Sequence, residues 1–204
     1  MKLYLAKKTI SIVVAIALEE AGLAYEPVEL DFTGGAQTKP GYLAINPKGR
    51  VPALEVPGGV LTETAAILDY IGALAPKAGL VPQDPLQAAR MREAMCYVGS
   101  TMHVNHAHKL RGARWADLAE SHADMRAKVP QTMAACCAHV EAAVLQGSYV
   151  LGDAFSLADP YLYVVSTWLA GDGVEIGDYP KLSAFNARMA ERPSVAAMRA
   201  RGWL

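Results

Sequence analysis

The sequence predicts a chain of two parts, a small α/β domain of order βαβ-ββα followed by an all-α domain. Three observations lead there. Short strand-like apolar runs alternate with helical patterns as far as Leu74, prolines and a glycine crowd Pro76 to Pro85, and every periodic segment beyond is helical. The domains are placed at residues 1–77 and 86–204, with a linker at 78–85.

Lys2-Leu-Tyr-Leu-Ala6 has the composition of a short buried strand. Thr9 or Ser11 offers a cap for a helix that runs to Ala21, and Gly22 stops it. The apolar run Thr9 to Leu18 behind Lys7 and Lys8 imitates a secretory leader, but spanning a bilayer takes roughly 20 apolar residues. It also meets Glu19-Glu20 without a clear small-residue cleavage site, so it reads as a buried helix of a cytoplasmic protein. Tyr25 to Leu30 alternates as a second strand, and a polar, glycine-rich connection, Asp31 to Gly41, leads to Tyr42-Leu-Ala-Ile45. Pro52 to Val56 and Val60-Leu61 flank Pro57-Gly58-Gly59, which suits a tight hairpin. The next helix begins near Thr64, carries Ile67, Leu68, Ile71 and Leu74 as one apolar stripe, and ends before Pro76.

In the second part the helices are expected over Leu86 to Leu110, Ala116 to Leu145 with a break or restart near Pro130, Ser156 to Leu169, Lys181 to Ala190 and Val195 to Arg199. Ser156-Leu-Ala-Asp159 has the form of a capping box, a structural signature, and Pro160 falls in the first turn where a missing N–H is tolerated.

With 52% hydrophobic and 19% charged residues in 204, the chain has the makings of a compact globule rather than a disordered segment. With a formal net charge of -1 nothing resembles the basic stripe that neutralises phosphates, so a small or neutral ligand is expected and no nucleic acid, and the shortness of the apolar run argues for no membrane partner. Cys96, Cys136 and Cys137 form no C-x-x-C pair and no metal-ligand spacing. They read as thiols packed as small apolar groups in a reducing compartment, which argues against thioredoxin-type redox chemistry.

Four places are able to carry chemistry. Val51 precedes a proline and is therefore extended, and Pro52 has no N–H. A cis bond there would leave the Val51 N–H and C=O free to pair with a peptide-like ligand as an added strand. The alternative is an ordinary trans turn, since about 5–6% of X-Pro bonds are cis. At Glu63-Thr64 a helix start attracts a carboxylate while Glu63 accepts from an ammonium, so a zwitterionic amino-acid end fits; the alternative is a plain cap. The turn Ala6 to Ser11 lies at a helix head. Met102-His-Val-Asn-His-Ala-His108 places His103 and His106 on one helical face and His108 away from it, with no nearby Asp, Glu or Cys to complete a metal set.

Lys2-Leu-Tyr4, Ile16-Ala-Leu-Glu-Glu-Ala-Gly-Leu23, Tyr42-Leu-Ala-Ile-Asn-Pro-Lys-Gly-Arg-Val-Pro-Ala-Leu54, Leu61-Thr-Glu-Thr-Ala-Ala-Ile-Leu68 and Ser156-Leu-Ala-Asp159, in this order, resemble the cytosolic glutathione transferases, particularly the bacterial beta class. The resemblance implies a thioredoxin-like N-terminal domain, a helical glutathione-transferase C-terminal domain, a cis Val51-Pro52 bond and a homodimer. Val51, ahead of Pro52, would pair its backbone with the cysteinyl unit of glutathione, and Glu63 and Thr64 would hold the γ-glutamyl end. Lys39 is the first candidate for the glycyl carboxylate, with Lys48 and Arg50 nearer the corner as alternatives.

The resemblance also turns Ala6 to Ser11 toward the sulfur. Beta-class enzymes carry a cysteine where this chain has Ile10, which cannot donate, ionise or form a mixed disulfide. Ser11, with Thr9 second, is then the expected donor to the thiolate, the alternative being that both only cap the helix; Tyr4 is read as core. His103 aligns with a beta-class active-site histidine, and Asn105, His106, Trp115 and Trp168 are candidates for the electrophile pocket or for simple packing. The implied activity is glutathione S-transfer to a small apolar electrophile in the interdomain cleft, with glutathione as co-substrate and no metal. The alternatives are a glutathione-dependent isomerase, peroxidase or lyase, and a non-catalytic glutathione-binding ligandin or interaction module, the last motivated by the missing cysteine and by Leu5 and Ala6.

Overall fold

The computed structural model describes all of residues 1–204, which fall into two compact units: residues 1–82 with 190–204, and residues 83–189. In the first unit, β1 (Lys2–Leu5), α1 (Ile12–Glu20), β2 (Glu26–Glu29), α2 (Pro40–Leu43), β3 (Ala53–Val56), β4 (Gly59–Thr62) and α3 (Thr64–Leu74) build a thioredoxin-like fold with one mixed sheet of order β2-β1-β3-β4. β1 pairs with β2 in parallel and with β3 antiparallel, Leu3 standing opposite both Pro27 and Leu54. Pro27 is tolerated because β2 is an edge strand.

The run that imitates a leader is α1, and each of its residues from Ile12 to Leu18 is 0% exposed. A helix apolar on every side is stable only when covered on every side. Within this unit α1 packs on α3 and on α9 (Pro193–Ala200), the last helix of the chain.

That last contact changes the expected division. The C-terminal residues 190–204 return to the first unit instead of staying with the helical part. Arg192 grips the Glu20 carboxylate with Nε at 2.7 Å and a second nitrogen at 2.6 Å, and the Ser194 hydroxyl donates to it at 2.5 Å. The buried Trp203 donates its indole N–H to Glu29, and its carbonyl accepts the Lys8 N–H at 2.8 Å. Local periodicity carries no information about these partners, which lie about the length of the chain away.

The second unit holds α4 (Pro85–Tyr97), α5 (His103–Ala107), α6 (Ala119–His139), α7 (Ala158–Ser166) and α8 (Pro180–Ala190). Asp84 caps α4 by accepting the Gln87 N–H at 2.8 Å, and a wider π turn over Val98–Met102 joins α4 to α5. The break expected near Pro130 is absent: α6 runs through it. An interior proline costs about 3 kcal/mol, yet Val129, Met133, Cys136 and Cys137 form a buried stripe across it, and their burial outweighs the lost hydrogen bond. Asp159, fully buried, accepts from the Ser156 N–H at 2.6 Å, the reach-back half of a capping box, and also from the Ser156 hydroxyl at 3.0 Å and the Val150 N–H at 2.8 Å.

Smaller departures have similar causes. Leu74 ends the α3 stripe but is exposed, because the helix stops there; Cys96 is also exposed, while Cys136 and Cys137 are buried. No helix is long and apolar enough to cross a membrane.

Candidate functional site

The segment Asn46 to Val51 is shaped by one carbonyl. Arg50 C=O accepts at 2.6 Å from the Tyr42 hydroxyl and at 2.6 Å from the Asn46 side-chain amide. Asn46, 1% exposed, also accepts the Lys48 N–H at 3.1 Å, so a single buried amide holds both ends of the turn. Burial pushes the Tyr42 phenol up to about 12, which keeps it a donor at every physiological pH. Gly49 lies between them at φ +59°, and a Cβ there would stand 3.1 Å from the Gln37 carbonyl, so both conformation and space call for glycine.

Past this turn the Val51-Pro52 bond is cis. Val51 lies just outside the register of β3, and its N–H and C=O pair with nothing in the chain. Backbone groups of a sheet edge left in this state are a template for an extended peptide.

Glu63 and Thr64 open α3. Glu63 takes φ +69°, a left-handed value uncommon for a residue with a side chain, and its carboxylate reaches Lys48 Nζ at 2.5 Å instead of capping the helix. Thr64, 6% exposed, is the first residue of α3. Lys39 stands exposed ahead of α2, and Arg50 is the other cation beside the corner.

The turn after β1 is organised differently. Ser11 is 0% exposed, and its oxygen accepts the Ala6 N–H at 3.0 Å, lies 2.7 Å from the Thr9 hydroxyl and 3.3 Å from the Ala6 carbonyl. The Thr9 hydroxyl in turn donates to the Ala6 carbonyl at 2.8 Å. Two hydroxyls and the backbone N–H and C=O of Ala6 thus close a ring around the end of β1. Neither side chain caps α1, since the Ser11 oxygen is spent on Ala6. Thr9 is the half-exposed member, and the Ile10 N–H beside it has no partner in the chain. Tyr4 is core: its ring packs on Tyr42 and its hydroxyl donates to Glu55 at 3.0 Å. A shallow groove lined by Met1, Lys2, Glu26, Glu55, Val56 and Pro57 lies at the opposite end of β1 from this turn.

In the second unit Trp168 gathers two of the singled-out histidines, with His106 stacked at 4.3 Å between ring centroids and His103 tilted at 5.3 Å. His106 Nδ1 lies 2.7 Å from Asp172, whose buried carboxylate also faces Lys109 at 3.4 Å. Asn105 is turned to Cys136, its amide 3.2 Å from the sulfur, and Trp115 is 45% exposed with its ring edge-on to His108. The candidates therefore divide: His103, His106 and Trp168 form one cluster, while Asn105 and Trp115 point elsewhere. No group of three or more His, Cys, Asp or Glu is arranged to hold a metal ion.

Tyr42, Asn46 and Asp172 are the residues that sequence reasoning missed. The Asn-Pro-Lys-Gly run carries a signal for Asn46, because asparagine commonly bonds the backbone two residues on. Asp172 has none, being 66 residues from His106.

The chain resembles known proteins along most of its length. Residues 1–73 match the family model described as glutathione S-transferase, N-terminal domain, and residues 107–201 match glutathione S-transferase, C-terminal domain. A glutathione transferase homologue from Sulfitobacter, solved with bound glutathione, is 60% identical with a TM-score of 0.98, over 100% of this chain and 98% of that one. The bacterial beta-class glutathione S-transferase of Sphingomonas chungbukensis is 32% identical with a TM-score of 0.85, over 100% of both chains. Maleylacetoacetate isomerase from Pseudomonas aeruginosa is 33% identical over 200 residues, 95% of this chain and 93% of that protein.

Proposed function

This chain belongs to the glutathione S-transferase family, and from that membership we propose a division of labour within its first unit, in which the Val51 corner holds glutathione and the Ala6 to Ser11 turn activates its sulfur. The enzyme is a glutathione transferase with glutathione as co-substrate. The Val51 N–H and C=O pair with the cysteinyl unit, Pro52 fixes the edge behind them, and Glu63 and Thr64 take the γ-glutamyl ammonium and carboxylate. Lys39 is the cation for the glycyl carboxylate.

The observation that carries this reading is the Val51 backbone, unpaired beside an Arg50 carbonyl that Tyr42 and Asn46 both hold. A glutathione transferase homologue solved with bound glutathione at 60% identity supports the same ligand here.

The sulfur is served by Thr9. Its hydroxyl is the half-exposed member of the ring, and the unpartnered Ile10 N–H stands beside it at the head of α1, where the helix dipole favours an anion. Ser11 is too deeply buried to reach a ligand and acts from behind: it takes the Ala6 N–H and donates to the Thr9 oxygen, so that the Thr9 proton, held by the Ala6 carbonyl within the ring, turns to the thiolate when glutathione binds. A free thiol titrates near about 8.5, so these donors must hold the bound thiol lower for it to attack at neutral pH. In the second unit, the aromatic cluster of His103, His106 and Trp168 is the candidate surface for a small apolar electrophile.

Thr9→Val tests this directly. Ultraviolet titration of bound glutathione reads the thiolate, and the variant is expected to move its pKa back toward about 8.5 while glutathione affinity changes by less than about threefold. An unmoved titration would remove Thr9 from the chemistry. No thiolate in the parent protein at neutral pH would favour the ligandin reading. Glutathione-dependent isomerisation is the second catalytic reading, favoured by the similarity to a maleylacetoacetate isomerase, and turnover of an unsaturated diketo acid against an aromatic halide separates the two. We further propose a cytoplasmic homodimer; three free cysteines suit a reducing compartment, and sedimentation reads the assembly.

A further inference from the structure

We propose that Lys48 is a specificity residue for the γ-glutamyl end of glutathione, taking the α-carboxylate of the tripeptide as a second partner beside Glu63. The assignment rests on the reading that Glu63 takes the ammonium of that end.

The two charges come from separate segments, the turn before Val51 and the head of α3, and meet at 2.5 Å while remaining 45% and 68% exposed. An exposed ion pair of this kind contributes little to stability, with a usual range of about 0–1 kcal/mol. Its placement is nevertheless determined on both sides. Asn46 anchors the Lys48 N–H with the same side chain that holds the Arg50 carbonyl, and Glu63 is held at φ +69°, outside the regions its side chain prefers. Two charges held by buried or strained backbone, with both heads in solvent, are arranged for something other than each other.

The chemistry of the ligand says what. An amino-acid end carries its ammonium and carboxylate on one carbon. When Glu63 accepts from that ammonium, a cation already touching Glu63 stands beside the carboxylate of the same carbon. The zwitterion then lies antiparallel to the Lys48–Glu63 pair, so that each of four charges faces two of opposite sign. Thr64 and the head of α3 serve the second oxygen of that carboxylate. The glycyl carboxylate lies at the other end of an extended tripeptide, roughly 10 Å away, which takes Lys48 out of competition with Lys39 and Arg50 for that group.

Calorimetry on the whole protein with two ligands provides the test: glutathione, and its analogue in which 4-aminobutyryl replaces γ-glutamyl, keeping the ammonium and lacking the α-carboxylate. Lys48→Ala is expected to weaken glutathione about tenfold and to leave the analogue within about twofold, with Lys48→Arg restoring most of the glutathione affinity. Circular dichroism and thermal melting verify that the variants are folded, which the exposure of the side chain favours. Unchanged or tighter glutathione binding in Lys48→Ala would mean that Lys48 only competes for Glu63, and the proposal fails. Equal losses on both ligands would show that Lys48 acts through the placement of Glu63, and the proposal also fails. A parent protein that takes up no glutathione ends the underlying reading as well, whereas either of the preceding results with normal uptake ends the Lys48 assignment alone.

Discussion

The Asn46 to Val51 corner and the Ala6 to Ser11 turn both lie in the first unit, and they use the same kind of atoms to opposite ends. At the corner, buried donors converge on the Arg50 carbonyl, so the next residue is presented with its peptide groups open. At the turn, the hydroxyls satisfy one another and Ala6, so the polar groups are closed upon themselves and only the Thr9 edge faces outward. An open site gains hydrogen bonds when a ligand arrives; a closed ring must re-partner. The corner is suited to holding a ligand, and the turn to responding to a change of charge on it.

The largest expected effect breaks the corner. Asn46→Ala removes one of two donors to the Arg50 carbonyl and the acceptor of the Lys48 N–H, which at a site this buried should cost about 2–3 kcal/mol in urea unfolding and weaken glutathione at least about tenfold. A stable, folded variant with normal affinity would mean that Val51 needs no preorganised turn, and the contrast would lose its first half. Next comes Ser11→Ala, which leaves the Ala6 N–H without its acceptor. It is expected to cost about 1–2 kcal/mol and to lower turnover with an aromatic electrophile about tenfold, with glutathione affinity within about twofold. Full turnover in that variant would sink the relay through Thr9.

The smallest effect concerns the far end of α1, whose head carries the turn. Burial works to raise the Glu20 carboxyl, but the hydrogen bonds from Arg192 and Ser194 outweigh it and hold the group below its usual value. A carboxyl depressed on folding contributes stability that is whole above its unfolded pKa, about 4.3, and is lost as pH falls through the lower folded value. Glu20→Gln should therefore cost about 1 kcal/mol near neutral pH, with the difference from the parent shrinking toward pH 3. A difference that stays constant over that range would mean that the contact is steric and not ionic.

How far the sequence reaches can be judged at individual residues. Ile12 to Leu18 announced a helix covered on every side, and the hairpin, the capping box and the Glu63-Thr64 helix start were legible because each depends on neighbours a few residues away. Pro130 misled for the same reason: locally a proline stops a helix, and only the buried stripe from Val129 to Cys137 overrides it. Ser11 misled in the other direction. Its type and position at a helix start suit a cap or a donor to ligand, and nothing near it in the chain reveals that Ala6 and Thr9 claim its oxygen.

By itself the sequence determined the two-part fold and the helix start at Glu63-Thr64, because patterning and helix-start chemistry act over short range; the cis bond at Val51-Pro52 followed from the family resemblance, since proline chemistry alone leaves a trans turn open. Only the tertiary structure decided that Glu63 meets Lys48, that Asp172 holds His106, that the tail from Ala190 closes over α1, and that Ser11 is buried. Each of these depends on which surfaces fold together, and burial and ion pairing between distant segments are set by packing that no local pattern encodes.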